Sequence, residues 1–141
     1  MTIVYFDSSA FVKLLVEEAG SDLAAALWDG CDAAVSSHLA YPEVRAALAA
    51  AGRSSRLTPG DQNRAEATWE EFWAATRPVE LTPLVAAHAG HLASQHALRG
   101  ADAVHLASLL AVGAEETLFG VWDQRLRVGA QAVGVQVAPA D

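Results

Sequence analysis

The sequence contains one cysteine, Cys31, among its 141 residues. An internal disulfide and a cluster of thiolate metal ligands are therefore excluded, and the composition fits a reducing, cytoplasmic compartment. No stretch approaches the roughly 18 consecutive apolar residues of a membrane-spanning helix. The N-terminus also has no basic segment that leads into an apolar run, so we expect neither a signal peptide nor a membrane partner.

Basic residues are scarce as well. Lysine and arginine together number 9, against 17 aspartates and glutamates, which gives a formal charge of −8. Proteins that bind nucleic acid usually carry a basic surface, so this charge is unusual for that class. Carboxylates gathered to bind cations would produce it, and so would a surface made for a basic partner. Composition alone leaves both interpretations open.

The sequence does contain a regular alternation of short β-branched or aromatic runs with longer helical patterns. This alternation predicts an α/β fold, a parallel sheet of five strands between helices. With an apolar content of 52%, we expect one domain, residues 1–141, with a substantial core. Two helices, at about residues 38–51 and 59–76, are expected to form a protruding hairpin, and Trp69, Phe72 and Trp73 are expected to pack within it.

The first strand, residues 3–6, ends in a carboxylate, Asp7. Ser8 or Ser9 is then expected to cap a helix that continues to about Glu18. In open parallel sheets, ligands bind beyond the carboxyl ends of the strands, which is where this pattern places Asp7. Asp7 is therefore the first candidate for a site residue.

Two further aspartates have comparable positions. Asp123 ends the predicted fourth strand, so it should reach the same edge of the sheet as Asp7. Asp102 opens a helix that is apolar nearly all round. Structural explanations are available for all three: Asp102 could complement a helix dipole, and Asp7 and Asp123 could be turn or capping residues.

Glu43 is the fourth candidate. Counting 100° per residue along the predicted third helix places it between Ala47 and Ala50, within an apolar arc where an unpaired charge is costly. A buried ion pair with Lys13 or Arg99 is the structural alternative for this glutamate.

Carboxylates that converge on one sheltered edge repel each other. At about 5 Å and an effective dielectric constant of 20, each ionised pair costs on the order of 3 kcal/mol. Shared protons or a bound cation would relieve this cost, and oxygen ligands favour Mg²⁺ or Mn²⁺ over zinc. A cation held by carboxylates at a sheet edge is suited to phosphoryl chemistry.

Four short motifs occur in an order that resembles the PIN-domain proteins, and among them the VapC-type toxins of bacterial toxin–antitoxin pairs. The motifs are residues 5–14 (YFDSSAFVKL) with 17–21 (EEAGS), then Glu43, then 99–107 (RGADAVHLA), and finally 122–126 (WDQRL). The resemblance spans nearly the whole chain, although residues 53–78 carry no family signature.

The resemblance implies an endoribonuclease that depends on Mg²⁺ or Mn²⁺ and leaves a 5′-phosphate and a 3′-hydroxyl. The metal ligands and catalytic acids would be Asp7, Glu43, Asp102 and Asp123, and Ser9 would support them. The expected partners are the RNA substrate, a cognate antitoxin that inserts a basic side chain into the acidic pocket, and a second copy in a homodimer.

Other interpretations compete with this one. The chain could be a catalytically silent PIN-fold module that acts through a partner protein. A phosphotransfer domain with Asp7 as nucleophile is disfavoured, because Ser9 stands where a second aspartate is needed. A Rossmann nucleotide-binding protein is disfavoured, because no glycine-rich loop follows the first strand.

Several conspicuous side chains receive structural interpretations. His88, His91 and His96 lie on one predicted helix without a further ligand, so we expect no zinc site there. His105, one turn beyond Asp102, is interpreted as a core imidazole or a support for the acids. The aromatic face of the second hairpin helix could additionally line a dimer or antitoxin groove.

Overall fold

The computed structural model of the protein describes residues 1–140, so Asp141, the last residue of the predicted domain, lies outside the described residues. The strands are β1 Ile3–Phe6, β2 Ala33–Ser37, β3 Arg77–Val79, β4 Thr117–Gly120 and β5 Gln136–Ala138. The helices are α1 Ser8–Leu15, α2 Ser21–Gly30, α3 Ala40–Arg53, α4 Pro59–Ala74, α5 Pro83–His96, α6 Gly100–Val112 and α7 Gln124–Ala132.

The strands form one parallel sheet in the order β3-β2-β1-β4-β5. Its central strand is β1, in which Ile3 lies opposite Ala33 of β2 on one side and opposite Thr117 of β4 on the other. The chain proceeds outward from β1 through β2 and β3, and it returns to the other side of β1 as β4 and β5. The order thus reverses beside β1, which is the position where open α/β sheets bind their ligands.

Helices cover both faces of this sheet, and the alternation of side chains along β1 supplies both cores. Tyr5 packs on one face with Phe119 and Leu106 of α6. Phe6 packs on the opposite face with Phe11 of α1, and the α3–α4 hairpin lies on this side. The predicted α/β fold, with five parallel strands between helices, is confirmed.

The cap of α1 differs from the prediction. Asp7 has an extended backbone, and its Oδ1 accepts a hydrogen bond from the Ala10 N–H at 2.9 Å. Because the strand ends directly in a residue that caps as well as serine does, the helix begins at Ser8 and needs neither Ser8 nor Ser9 as its cap. The helix also ends at Leu15, earlier than expected.

Two other boundaries move by a few residues. The third helix begins at Ala40, and Ser37 does not cap it, since the Ser37 hydroxyl accepts instead from the Leu39 N–H at 3.1 Å. The fourth strand ends at Gly120, before Trp122. In the part of the chain described, no helix is both long enough and apolar enough to cross a membrane.

Candidate active site

Asp7 lies at the carboxyl end of the central strand, where the strand order reverses. Its side chain is almost completely buried, at 3% exposure, and one oxygen is held by the Ala10 N–H. The pKa of Asp7 is raised from 3.8 to about 6, chiefly by burial and also by the negative charges of Asp102 and Glu43, while His105 and the Ala10 N–H act in the opposite direction. Asp7 thus interacts electrostatically with two of the other predicted acids.

Glu43 lies in the first turn of α3 and is partly buried. Its Oε1 is 2.7 Å from the Nε2 of His105 on α6, so its direct partner is a histidine and not Lys13 or Arg99. The expectation that Glu43 lies in a buried apolar arc is wrong, because Ala47 and Ala50 are both exposed. The buried face of α3 is instead made of Ala40, Val44, Leu48 and Ala51.

Asp102 and Asp123 share one arginine. Arg99 directs its Nε at Asp102 Oδ2, 3.0 Å away, while its Nη2 is 3.9 Å from Asp123 Oδ2. Hydrogen bonding and charge attraction from Asp102, followed by the charges of Asp123 and Glu43, raise the pKa of Arg99. The charges of Asp102, Asp123 and Glu43 therefore act together on one guanidinium, and the Arg99 side chain that carries it is 76% exposed.

The structural explanations for Asp102 and Asp123 also apply. Asp102 occupies the first turn of α6, and Asp123 caps α7 by accepting from the Leu126 N–H at 2.9 Å. Such helix-terminal positions fix the backbone of an acid without using both of its oxygens. Capping and ligand binding are therefore compatible at Asp123, whose side chain is 41% exposed.

The four acids occupy one sheet edge, but they are not in contact as a cluster. Within residues 1–140, no three histidine, cysteine, aspartate or glutamate side chains are placed to hold a single metal ion. The acids have three different partners: Asp7 accepts from the Ala10 N–H, Glu43 is paired with His105, and Asp102 and Asp123 share Arg99. Mutual repulsion between carboxylates favours this separation.

The chemistry of these donors fits a hard divalent cation. Carboxylates from four separate segments lie at this edge of the sheet, and oxygen ligands of this kind select Mg²⁺ or Mn²⁺ in preference to zinc. A common ion would require Asp102 and Asp123 to leave Arg99. Because that arginine is mostly solvent-exposed, the exchange needs no rearrangement of the core.

Comparison with known proteins then identifies the fold. A model of the PIN domain matches residues 4–127, a range that contains all four acids. The chain belongs to the PIN-domain family. Ribonuclease VapC45 of Mycobacterium tuberculosis strain CDC 1551 / Oshkosh and ribonuclease VapC49 of strain ATCC 25618 / H37Rv are each 69% identical to it over 140 residues, which is 99% of this chain and 97% of theirs. Within the PIN family, the chain thus belongs to the VapC group.

A solved structure supports the same fold. The crystal structure of PAE2754 from Pyrobaculum aerophilum superimposes with a TM-score of 0.65 at 20% identity, covering 96% of this chain and 90% of that one. At this identity, the similarity supports the PIN fold alone.

Beside the acids of the PIN domain lies an open groove of about 390 Å³. Ser9 is exposed and lines this groove near Asp123 and Trp122, and Lys13 lies over the Trp122 ring with its Nζ 5.2 Å from the centroid. The predicted supporting role of Ser9 therefore remains a prediction, with a position next to one of the four acids.

From the sequence, Tyr5 was only part of the first motif and had no assigned role. Arg99 was a possible partner of Glu43, a motif residue and a possible RNA contact, but its pairing with Asp102 and Asp123 was not predicted. Nothing in the sequence distinguishes Tyr5 from other residues of a buried strand, except that a spacing of two residues puts it on the same side of the strand as Asp7. Arg99 precedes Asp102 by three residues, a spacing that brings side chains together at a helix start. That spacing was the available signal.

Proposed function

We propose that this PIN-domain protein is an endoribonuclease that depends on Mg²⁺ or Mn²⁺, and that it is the toxin of a type II toxin–antitoxin pair. The observation that carries the proposal is Asp7, a carboxyl group with 3% exposure and a pKa raised to about 6, close enough to Asp102 and Glu43 to feel their charges. Strongly perturbed carboxyl groups cluster at functional sites, and a bound cation would offset the repulsion among these acids. The 69% identity to two proteins named ribonucleases supports the choice of RNA.

In this proposal Asp7, Glu43, Asp102 and Asp123 hold the ion, and Ser9 supports them from the groove. When bound, a divalent cation lowers the pKa of water and offsets charge on a phosphate. The chain itself supplies orientation. The Ala10 N–H fixes one oxygen of Asp7, so that only the carboxylate's remaining lone pairs are free to bind.

Arg99 has two roles in the proposal. Without substrate, its guanidinium neutralises part of the charge on Asp102 and Asp123. Asp102 and Asp123 would hold the ion, and the exposed Arg99 guanidinium would then be available to bind an RNA phosphate, for which its planar fork is suited. Other basic groups near the groove are already paired, since Lys13 and Arg56 both contact Glu18.

The proposed partners follow from charge. A net charge of −8 and an acidic pocket favour an antitoxin with a basic side chain, and the fit of a guanidinium between Asp102 and Asp123 supports this idea. We further propose a homodimer and a cytoplasmic location, as expected for a toxin of this group.

RNA cleavage tests the proposed activity. Wild-type protein should cleave a structured RNA with Mg²⁺ or Mn²⁺, leave 5′-phosphate ends, and lose activity in EDTA. Asp7→Asn should lower the cleavage rate at least about a hundredfold. Removing a residue that supports a metal ligand costs about 10- to 100-fold, and removing the ligand itself should cost more. Asp22→Asn, which changes an exposed acid at the start of α2, is the matched control.

Two results would contradict the proposal. One is metal-stimulated cleavage that persists at full rate in Asp7→Asn, which would trace the activity to a contaminant. The other is calorimetry that detects no divalent-ion binding to the wild type, which would favour a silent PIN-fold module acting through a partner.

A further inference from the structure

A buried histidine joins the central strand to the acidic pocket. His105 of α6 is 1% exposed and has a partner at each ring nitrogen. Its Nδ1 is 2.8 Å from the hydroxyl of Tyr5, and its Nε2 is 2.7 Å from Oε1 of Glu43. The three side chains form one hydrogen-bonded chain, with its inner end in the core and its outer end in the pocket.

We infer that Tyr5 and His105 are positioning residues, which together fix the Glu43 carboxylate at the place where it binds a divalent cation. This inference rests on the proposed function. Tyr5 and His105 would thus have a role at the site in addition to their packing in the core.

The direction of the hydrogen bonds follows from their chemistry. An ionised Glu43 has no proton to donate, so His105 must carry a proton on Nε2. The Tyr5 hydroxyl suits either form of the ring: it donates to Nδ1 of a neutral imidazole and accepts from Nδ1 of an imidazolium, so Nε2 faces Glu43 as a donor in both.

Geometry explains why this chain of bonds is well placed. Tyr5 and Asp7 are two residues apart, so their side chains leave the strand on the same face. His105 follows Asp102 by three residues on α6, which puts both on neighbouring parts of one helix face. The strand and the helix that supply Asp7 and Asp102 therefore also supply the support for Glu43, so the three acids are set relative to one another.

A purely structural role would rest on packing. The Tyr5 ring meets Phe119 edge-on at 5.5 Å between centroids, and this contact does not involve the hydroxyl. Tyr5→Phe removes the hydroxyl alone and keeps the ring, so it separates the two roles directly. His105→Leu replaces the imidazole with an apolar side chain and removes both hydrogen bonds, and urea unfolding measures its packing cost separately.

The test is Mn²⁺ affinity, followed by electron paramagnetic resonance of the free ion, together with urea unfolding of each variant. His105→Leu should weaken Mn²⁺ binding about 10- to 100-fold, the usual cost of removing a group behind a metal ligand. Tyr5→Phe should weaken it by less, and the double variant by no more than His105→Leu, because Tyr5 acts only through the ring. His105→Gln, which keeps an N–H near the Nε2 position, should restore affinity to within a few-fold of wild type.

Thr117→Val is the matched control. It removes a buried hydroxyl that lies at the other end of the sheet and has no hydrogen-bond partner among residues 1–140. It should bind Mn²⁺ as the wild type does. If His105→Leu does not fold, Tyr5→Phe alone still carries the test, because it keeps the ring and its packing.

A second readout needs no metal. Nitrogen-15 NMR of the His105 side chain should find a proton on Nε2, and a ring protonated on Nδ1 alone would overturn the inference. So would variants that bind Mn²⁺ as tightly as the wild type. A wild type that binds no Mn²⁺ would instead overturn the proposed function, and this inference with it.

Discussion

At the scale of single residues, Asp7 couples the site to the stability of the fold. Its pKa is 3.8 ordinarily and about 6 in the folded chain, so the folded state holds the proton to higher pH than the unfolded chain does. Stability from this group is therefore lost as the pH rises from about 4 to about 6. At neutral pH the ionised Asp7 side chain therefore lowers the stability of the fold.

Asp7→Asn should therefore stabilise the metal-free protein at neutral pH. Asparagine cannot ionise, and its side-chain oxygen can still accept from the Ala10 N–H. The gain over wild type should be on the order of 2–3 kcal/mol near pH 7 and should vanish near pH 4. Urea unfolding in EDTA at several pH values measures it, and a gain that does not change with pH would contradict the assigned cause.

In the proposed function, Arg99 competes with the cation for Asp102 and Asp123. Arg99→Gln should tighten Mn²⁺ binding by roughly two- to fivefold, the range expected from losing exposed ion pairs. The same variant should bind RNA more weakly, since a phosphate-binding group is lost. Metal titration and an RNA-binding assay measure the two effects.

The matched control for this competition is Arg125→Gln. Arg125 lines a small pocket together with Arg99, Asp102 and Asp123. Within residues 1–140, its guanidinium bonds the Ala97 carbonyl at 3.3 Å and no acid. An equal gain in Mn²⁺ affinity from both substitutions would mean that only the overall charge matters, and the competition at Arg99 would be refuted.

At the scale of elements, β1 and α6 could be predicted from the sequence because each has an unmistakable pattern. A short apolar run that ends in Asp7 predicts a buried strand, and Asp102 heads a helix without a polar face. Parallel strands end at a common edge, so the convergence of Asp7 and Asp123 also followed.

The surroundings of Glu43 could not be predicted in the same way. Helical periodicity indicates which residues share a face, but it cannot say which element covers that face. Ala47 and Ala50 are small apolar residues that α3 leaves exposed, and the side chain that covers Glu43 is His105, sixty-two positions away in sequence. Contacts of this length depend on tertiary packing.

Within α4, Trp69 is a packing residue. It is fully buried, with its ring 4.8 Å from that of Phe11 and 5.5 Å from that of Trp73 between centroids. Trp69→Ala should destabilise the protein by about 3–5 kcal/mol, as measured by urea unfolding. Trp69→Phe should cost much less, because it retains the ring packing and removes an indole N–H that lacks a partner.

A loss below about 1 kcal/mol for Trp69→Ala would contradict this role.

The hypothesis that this aromatic face also binds a second copy or an antitoxin is better tested at Trp73, which is only partly buried. Trp73→Ala should leave the monomer folded, so a change in dimer or antitoxin affinity can be assigned to the surface.

At the scale of the whole molecule, the net charge of −8 opposes RNA binding, and the proposed cation is what reconciles the two. Four acids lie at the same edge of the sheet, and their partners are the Ala10 N–H, His105 and the shared Arg99. A divalent ion would draw the acids together and add positive charge where a phosphate must approach. The central claim is therefore that this edge is a cation site.

The most direct test is thermal unfolding of wild type and Asp7→Asn during a titration with Mn²⁺. At about 100 times the dissociation constant, the wild type should gain about 2.7 kcal/mol, or roughly 5–10 °C in Tm. Asp7→Asn should begin more stable than the wild type in EDTA and should not respond to the metal. A wild-type Tm that is insensitive to Mn²⁺, or an equal response from both proteins, would contradict the account.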